Sequence, residues 1–178
     1  MTEIVVRFNP KRIFEFGTNW GFSTAMFLIN TPAETRVWTL DICREIYNLD
    51  EISSDRELSE MVLGRDQVGS AYKEMPDWQT RVTQIFQDSL TLDWNRGPFP
   101  EAFDLILVDA CHKYEFVKSD TLNAVQRLAP GGLLVWHDYY PDVSAWSDVF
   151  KVVNEFSKSH DNVTYLKNTH IAVWQKPA

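Results

Sequence analysis

The sequence predicts an α/β protein built on a largely parallel, doubly wound sheet, and three observations carry that prediction. Short runs of apolar and β-branched residues alternate with stretches of helical periodicity, the pattern of strands buried on both faces by crossover helices. The first run leads through a glycine turn straight into an apolar helical segment, the strand–turn–helix entrance of nucleotide-binding domains. The length, 178 residues, suits one sheet covered on both sides, so residues 1–178 are read as a single domain.

Residues 13–16 form the first strand, which runs into Gly17-Thr18-Asn19-Trp20-Gly21 and a helix over 22–29 that stops at Asn30-Thr31-Pro32. Gly17 permits a turn with positive φ, and Gly21 lets backbone approach a ligand or a neighbouring helix closely. The spacing Glu15-x-Gly17-x-x-x-Gly21 departs from Gly-x-Gly-x-x-Gly and favours a nucleoside ligand without a pyrophosphate. Further strands are expected at 37–40, 82–86, 105–108 and 133–136. The segment 44–81 is long for one connection; Ser54-Asp55-Arg56-Glu57 reads as a capping box, and the rest as a lid or a surface excursion. A helix over 115–128 aligns Val117, Ala124, Val125 and Leu128 and meets the stop signal Pro130-Gly131-Gly132. Another, over 142–157, aligns Trp146, Val149, Phe150 and Val153. Residues 163–166 and 171–174 flank the polar link Lys167-Asn168-Thr169-His170 and read as a hairpin, an antiparallel end to a parallel sheet.

Composition narrows the partners. The hydrophobic content is 44%, and no apolar run approaches the ~18–20 residues that span a bilayer. The start, Met1-Thr2-Glu3, lacks the basic and apolar pattern of a secretory signal, so a cytoplasmic location is expected. Cys43 and Cys111 have no metal-like spacing and suggest no disulfide scaffold. A net charge of −8 without a Lys/Arg cluster opposes nucleic-acid binding and leaves a small molecule as the expected partner.

Polar residues gather at strand ends, where open α/β sheets keep their sites. Asp41 ends the second strand and is placed either to accept hydrogen bonds from both hydroxyls of a ribose or to cap the next turn. Asp88 and Ser89 follow the third strand and meet an adenine edge or form a solvated turn. Asp109 closes the apolar run 105–108. His112 is then a general base or a structural histidine, while Tyr114 reads as packing support and Cys111 as a buried thiol. His137-Asp138 end the fifth strand, and with Asp109 they form either the ligand set of a divalent cation or a hydrogen-bonded cluster that orients substrate. Trp20, Trp136, Tyr139 and Tyr140 are candidates to wall an acceptor pocket, or else core.

Taken in order, these motifs resemble the class I S-adenosylmethionine-dependent methyltransferases. Glu15-x-Gly17-x-x-x-Gly21-x-Ser23 resembles their first motif, Asp41 their ribose-binding acid, and Gln87-Asp88-Ser89 their adenine-side motif. The run from Phe103 through Asp109, His112 and Tyr114, then Pro130-Gly131-Gly132 and His137-Asp138-Tyr139, is similar to the small-molecule O-methyltransferases related to the catechol and macrolide-sugar (macrocin) enzymes. The resemblance implies a Rossmann-like seven-stranded sheet of order 3-2-1-4-5-7-6 with strand 7 antiparallel. It implies S-adenosyl-L-methionine across strands 1, 2 and 4, with Thr18 and Asn19 donating backbone N–H to its amino-acid end and Asp109 near its methionine portion. It further implies His112 as the base and, as in metal-dependent relatives, a divalent cation (Mg²⁺ there) at Asp109, His137 and Asp138. Relatives carry helices ahead of strand 1, where this chain has only Met1 to Lys11, so either the 44–81 segment or a partner subunit, as in a homo-oligomer, completes the pocket, or the site is open and catalysis feeble. Two rival readings remain: a non-catalytic nucleoside-binding scaffold of the same fold, and a nicotinamide-dependent oxidoreductase.

Overall fold

Alternation along the strands sorts apolar side chains onto two faces and so builds the core. In the computed structural model, which describes residues 1–46, 62–140 and 147–178, strands β1 (Arg12–Phe16), β2 (Arg36–Asp41), β3 (Val82–Phe86), β4 (Phe103–Val108) and β5 (Leu128–Trp136) pair in parallel. β6 (Thr164–Tyr165) and β7 (Ala172–Gln175) finish a seven-stranded sheet of order β3-β2-β1-β4-β5-β7-β6, with β7 antiparallel to both its neighbours. Order and strand sense are those the resemblance implies.

Phe14, Phe16, Leu40, Ile106, Val108, Leu134 and Trp136 face one side, covered by α5 (Tyr114–Arg127) and α6 (Ser147–Ser157). Ile13, Val37, Leu105, Leu107 and Val135 face the other, covered by α2 (Phe22–Asn30), by Val5 of α1 (Thr2–Phe8) and by Tyr72 of the short α3 (Ser70–Lys73). α1 is thus the one helix ahead of β1. The capping box at 54–57 and Trp146 lie outside the described residues.

Two connections depart from expectation. α5 ends at Arg127, and Leu128, expected as the last helical residue, is the first of β5. Its apolar side chain satisfies either reading, but its N–H closes on Ala124 while the chain has already turned extended. Pro130-Gly131-Gly132 therefore lies within the strand, where Gly131 takes φ 75° and donates its N–H to Lys176. At the other end of the sheet, the short helix α4 (Trp78–Arg81) delivers a buried guanidinium to the turn after α2. Arg81 donates to the carbonyls of Leu28 (2.9 Å), Thr31 (3.3 Å), Pro32 (3.1 Å) and Thr35 (3.3 Å) and to the Thr31 hydroxyl (2.8 Å). It thereby satisfies helix-end carbonyls that would otherwise lack donors.

Candidate active site

The carboxyl ends of β1 to β5 release Gly17, Asp41, Gln87, Asp109 and His137 along one edge of the sheet. Gly17 turns at φ 92° with no room for a side chain, since a Cβ there would collide with the backbone of Asp109 and Ala110. Gly21 takes φ 81°, and its Cβ would lie 2.7 Å from the Tyr72 ring and 2.8 Å from Gly69 Cα. The close approach to a neighbouring helix expected for Gly21 is therefore present.

Asp41 binds the glycine turn directly. Its Oδ2 accepts the N–H of Thr18 (2.9 Å) and of Asn19 (2.5 Å), and its Oδ1 accepts the N–H of Ile42 (2.7 Å). Burial pushes its carboxyl up, while those three donors pull it back. The two N–H groups expected to meet a ligand's amino-acid end are committed here to Asp41. A carboxylate has about four lone-pair sites, so one stays open and a second ribose hydroxyl requires an exchange of partners.

A polar ladder crosses the sheet beneath this turn. Glu15, Thr39 and Gln84 are register partners on β1, β2 and β3. Tyr72 Oη donates to Gln84 Oε1 (2.9 Å), Gln84 Nε2 donates to the Thr18 hydroxyl (2.9 Å), and Thr18 and Thr39 bond at 2.7 Å. Thr39 and Thr24 both donate to Glu15 Oε2, at 2.6 and 2.5 Å. Because Thr39 gives its proton to Glu15, Thr18 must donate to Thr39, and the chain of donors points one way. Among the described residues the buried Glu15 Oε1 has no hydrogen-bond partner. Burial raises the Glu15 carboxyl to about 7 against the hydroxyls of Ser23, Thr24 and Thr39. Glu15 and Ser23 were expected as motif residues, whereas Thr39, Gln84 and Tyr72 were missed; the available signal for the first two was a polar residue in the interior of each strand.

After β3, Asp88 accepts the Leu90 N–H (2.9 Å) and so caps the 3₁₀ turn Ser89–Thr91. Ser89 is 9% exposed. Beyond β4 and β5, the acids and histidines meet as expected. His112 Nε2 lies 3.0 Å from Asp138 Oδ2, and His137 Nδ1 lies 3.3 Å from Asp109 Oδ1 and 3.2 Å from Asp138 Oδ2. The His137 contacts are close enough for charge pairing, but neither is angled as a hydrogen bond, and among the described residues the buried Nδ1 has no hydrogen-bond partner. Asp109 and then Asp138 push His137 up to about 10 against burial. Burial raises the Asp109 carboxyl despite His137. For Asp138 burial is outweighed by His112 and His137, which hold it well below the usual carboxylate range. One donor atom from each of Asp109, His137 and Asp138 falls within 4.8 Å of the others. Two carboxylates and an unpartnered imidazole nitrogen at that spacing fit a divalent cation.

The aromatic candidates divide. Trp136 is fully buried, donates to the Thr121 hydroxyl (2.9 Å) and belongs to the core, the second of the two readings open to it. Tyr139 packs on Phe150 and Tyr165, and Tyr140 stacks on His170. Trp20 stays 42% exposed beside the glycine turn. Tyr114 is support, as expected: Oη donates to Glu155 (2.6 Å) and its N–H to Asp148 (3.1 Å). Cys111 is half-buried rather than buried, and burial raises its thiol pKa, which disfavours a nucleophilic thiolate.

Residues 14–139 match a family model described as a methyltransferase domain. No curated protein matches the chain in sequence. Among solved structures the chain is similar to the O-methyltransferase TomG of Streptomyces achromogenes, solved with its S-adenosylmethionine (19% identity, 99% of this chain and 78% of that one, TM-score 0.61). It is also similar to the N-methyltransferase NodS of Bradyrhizobium japonicum (17%, 99% and 94%, 0.60). A third is the O-methyltransferase of Bacillus cereus in complex with S-adenosylhomocysteine (17%, 98% and 78%, 0.60). These likenesses establish a shared fold. Among the described residues no helix is long and apolar enough to cross a membrane.

Proposed function

The chain belongs to the methyltransferase-domain family, a family of enzymes, and from that premise we propose that it transfers a methyl group from S-adenosylmethionine to a hydroxyl oxygen of a small-molecule acceptor, acting as one domain over residues 1–178. The observation that carries this reading is the pairing of His112 with Asp138 on the same sheet edge as the glycine turn held by Asp41. An imidazole oriented by a carboxylate is the equipment for taking a proton from a hydroxyl.

S-adenosylmethionine supplies a methyl already activated on a sulfonium, so the protein's contribution is chiefly alignment. Asp41 receives ribose hydroxyls, exchanging them for the Thr18 and Asn19 N–H groups, which then turn to the amino-acid end. Glu15, Gly17, Gly21 and Ser23 set the shape of that turn, and Ser89, with Asp88 holding its turn, meets the adenine edge. His112 takes the acceptor's proton at its ring, which Asp138 orients through Nε2. Asp109, His137 and Asp138 would hold a divalent cation that polarises the acceptor oxygen as a Lewis acid. Their imidazole suits a borderline cation such as Fe²⁺ or Zn²⁺ better than Mg²⁺.

Calorimetric titration with S-adenosylhomocysteine tests the reading: saturable one-to-one binding is expected, and its absence overturns it. With an acceptor from a panel of small hydroxyl compounds, His112→Ala is expected to lower turnover by about 10²–10⁴-fold while leaving that binding in place. Unchanged turnover would remove His112 from the mechanism. Binding without transfer to any of a broad acceptor panel would favour the scaffold reading instead.

A further inference from the structure

Gln84 is a polar side chain in the interior of β3 that the proposed chemistry does not use. Its amide is fixed on both sides. Oε1 accepts from Tyr72 Oη (2.9 Å), and Nε2 reaches the Thr18 hydroxyl (2.9 Å) and the carbonyls of Thr39 and Ile85 (3.2 Å each). Those carbonyls can only accept, so the amide nitrogen faces them and Thr18 receives a donor. Tyr72 has no exposure, and burial pushes its phenol up to about 12, so the hydroxyl keeps its proton. Thr18 is buried too, and its hydroxyl is spent on Gln84 and Thr39.

The rest of the glycine turn is held by backbone. Gly69 N–H donates to the Asn19 carbonyl (2.8 Å), Ala71 N–H to the Trp20 carbonyl (2.9 Å) and Gly21 N–H to the Thr18 carbonyl (2.7 Å). Three successive carbonyls are thus occupied, and Asn19 is kept at φ 47°. What the turn has left to exchange is the N–H edge of Thr18 and Asn19, which rests on Asp41 Oδ2. We propose that Gln84, oriented by Tyr72, is a positioning residue for the amino-acid end of S-adenosylmethionine: it pins the Thr18 side chain, so that this N–H edge passes from Asp41 to the ligand's carboxylate while the turn keeps its shape. A turn ordered in advance spares the ligand the cost of ordering it. The inference rests on the reading that Thr18 and Asn19 meet that amino-acid end.

The test is the affinity ratio for S-adenosylhomocysteine over 5′-methylthioadenosine, which keeps the nucleoside and lacks the amino acid, measured by calorimetry on the full chain. Gln84→Leu is expected to lower the ratio about tenfold, because only the longer ligand uses the ordered N–H edge. Tyr72→Phe leaves Gln84 its other partners and is expected to lower it less. Adding Tyr72→Phe to Gln84→Leu removes the phenol that the single variant strands, so the double variant is expected to melt higher than Gln84→Leu while its ratio stays low. A purely structural role predicts the reverse: both ligands weaken together and recover with the melting temperature. If Gln84→Leu does not fold, the double variant carries the same comparison with the wild type. An unchanged ratio in a variant that lacks Gln84 and melts cooperatively, or a ratio restored in the double variant, overturns the proposal. A wild type that binds neither compound overturns the methyltransferase reading itself, and one that binds both equally overturns the positioning role alone.

Discussion

Glu15 occupies a strand position that periodicity would fill with an aliphatic side chain, and its burial has a measurable cost. Its carboxyl titrates at about 7 in the fold against the ordinary value near 4.3 of an unfolded glutamate. The folded state therefore holds a proton that the unfolded state gives up between these values, and the associated stability is present below about pH 4.3 and lost as pH rises to about 7. Glu15→Gln is expected to flatten this segment, gaining on the order of 3 kcal/mol relative to the wild type between pH 4.5 and pH 8. Denaturant unfolding at the two pH values reads the difference; an equal wild-type-to-variant gap at both would mean that Glu15 is ionised in the fold. The residue itself was legible as the acid of a glycine motif. Its partners were not, because one polar side chain in a strand reads as an isolated exception until register sets Thr39 beside it and Gln84 beyond. The same ignorance of register hid the Asp41 contacts: the sequence positions the acid at a strand end but does not say whether ligand or glycine turn reaches it first.

Among the elements, α2 depends on a residue more than fifty positions away. Arg81 closes the α2–β2 turn through four carbonyls and a hydroxyl, and its Nη1, which also reaches the Leu28 carbonyl, meets Asp77 at 3.1 Å. Arg81→Ala would strand buried acceptors and is expected to destabilise the fold by about 3 kcal/mol. Arg81→Lys would recover only part, since an ammonium has three donors and no planar fork. Thermal melts of both variants check this, and a shift for the alanine variant within error of zero would contradict the clamp. Helix and strand cores were legible from period alone, as at Val117 and Ala124 on α5. Boundaries were not. Leu128 suits a helix face and a buried strand equally, and only pairing with Phe103 on β4 decides for the strand.

For the molecule as a whole, the residues disclosed the parallel strands and the closing hairpin, but strand order came from the resemblance, because non-local pairing leaves little trace in local sequence. The gathering of Asp109, His112, His137 and Asp138 at the sheet edge was legible as a set, since each directly follows or lies close behind an apolar strand. The charge of −8 belongs to the same scale. It is expected to keep RNA off the surface, with no retardation of an RNA hairpin at about 0.15 M salt; saturable retardation would contradict a purely small-molecule acceptor. The turn at Gly17 carries one more consequence. With no room for a Cβ between it and the main chain of Asp109 and Ala110, this glycine welds the loop after β1 to the loop after β4. On the function proposed above, donor and acceptor would then sit on either side of a seam one backbone thick, and any side chain added at position 17 would disturb both.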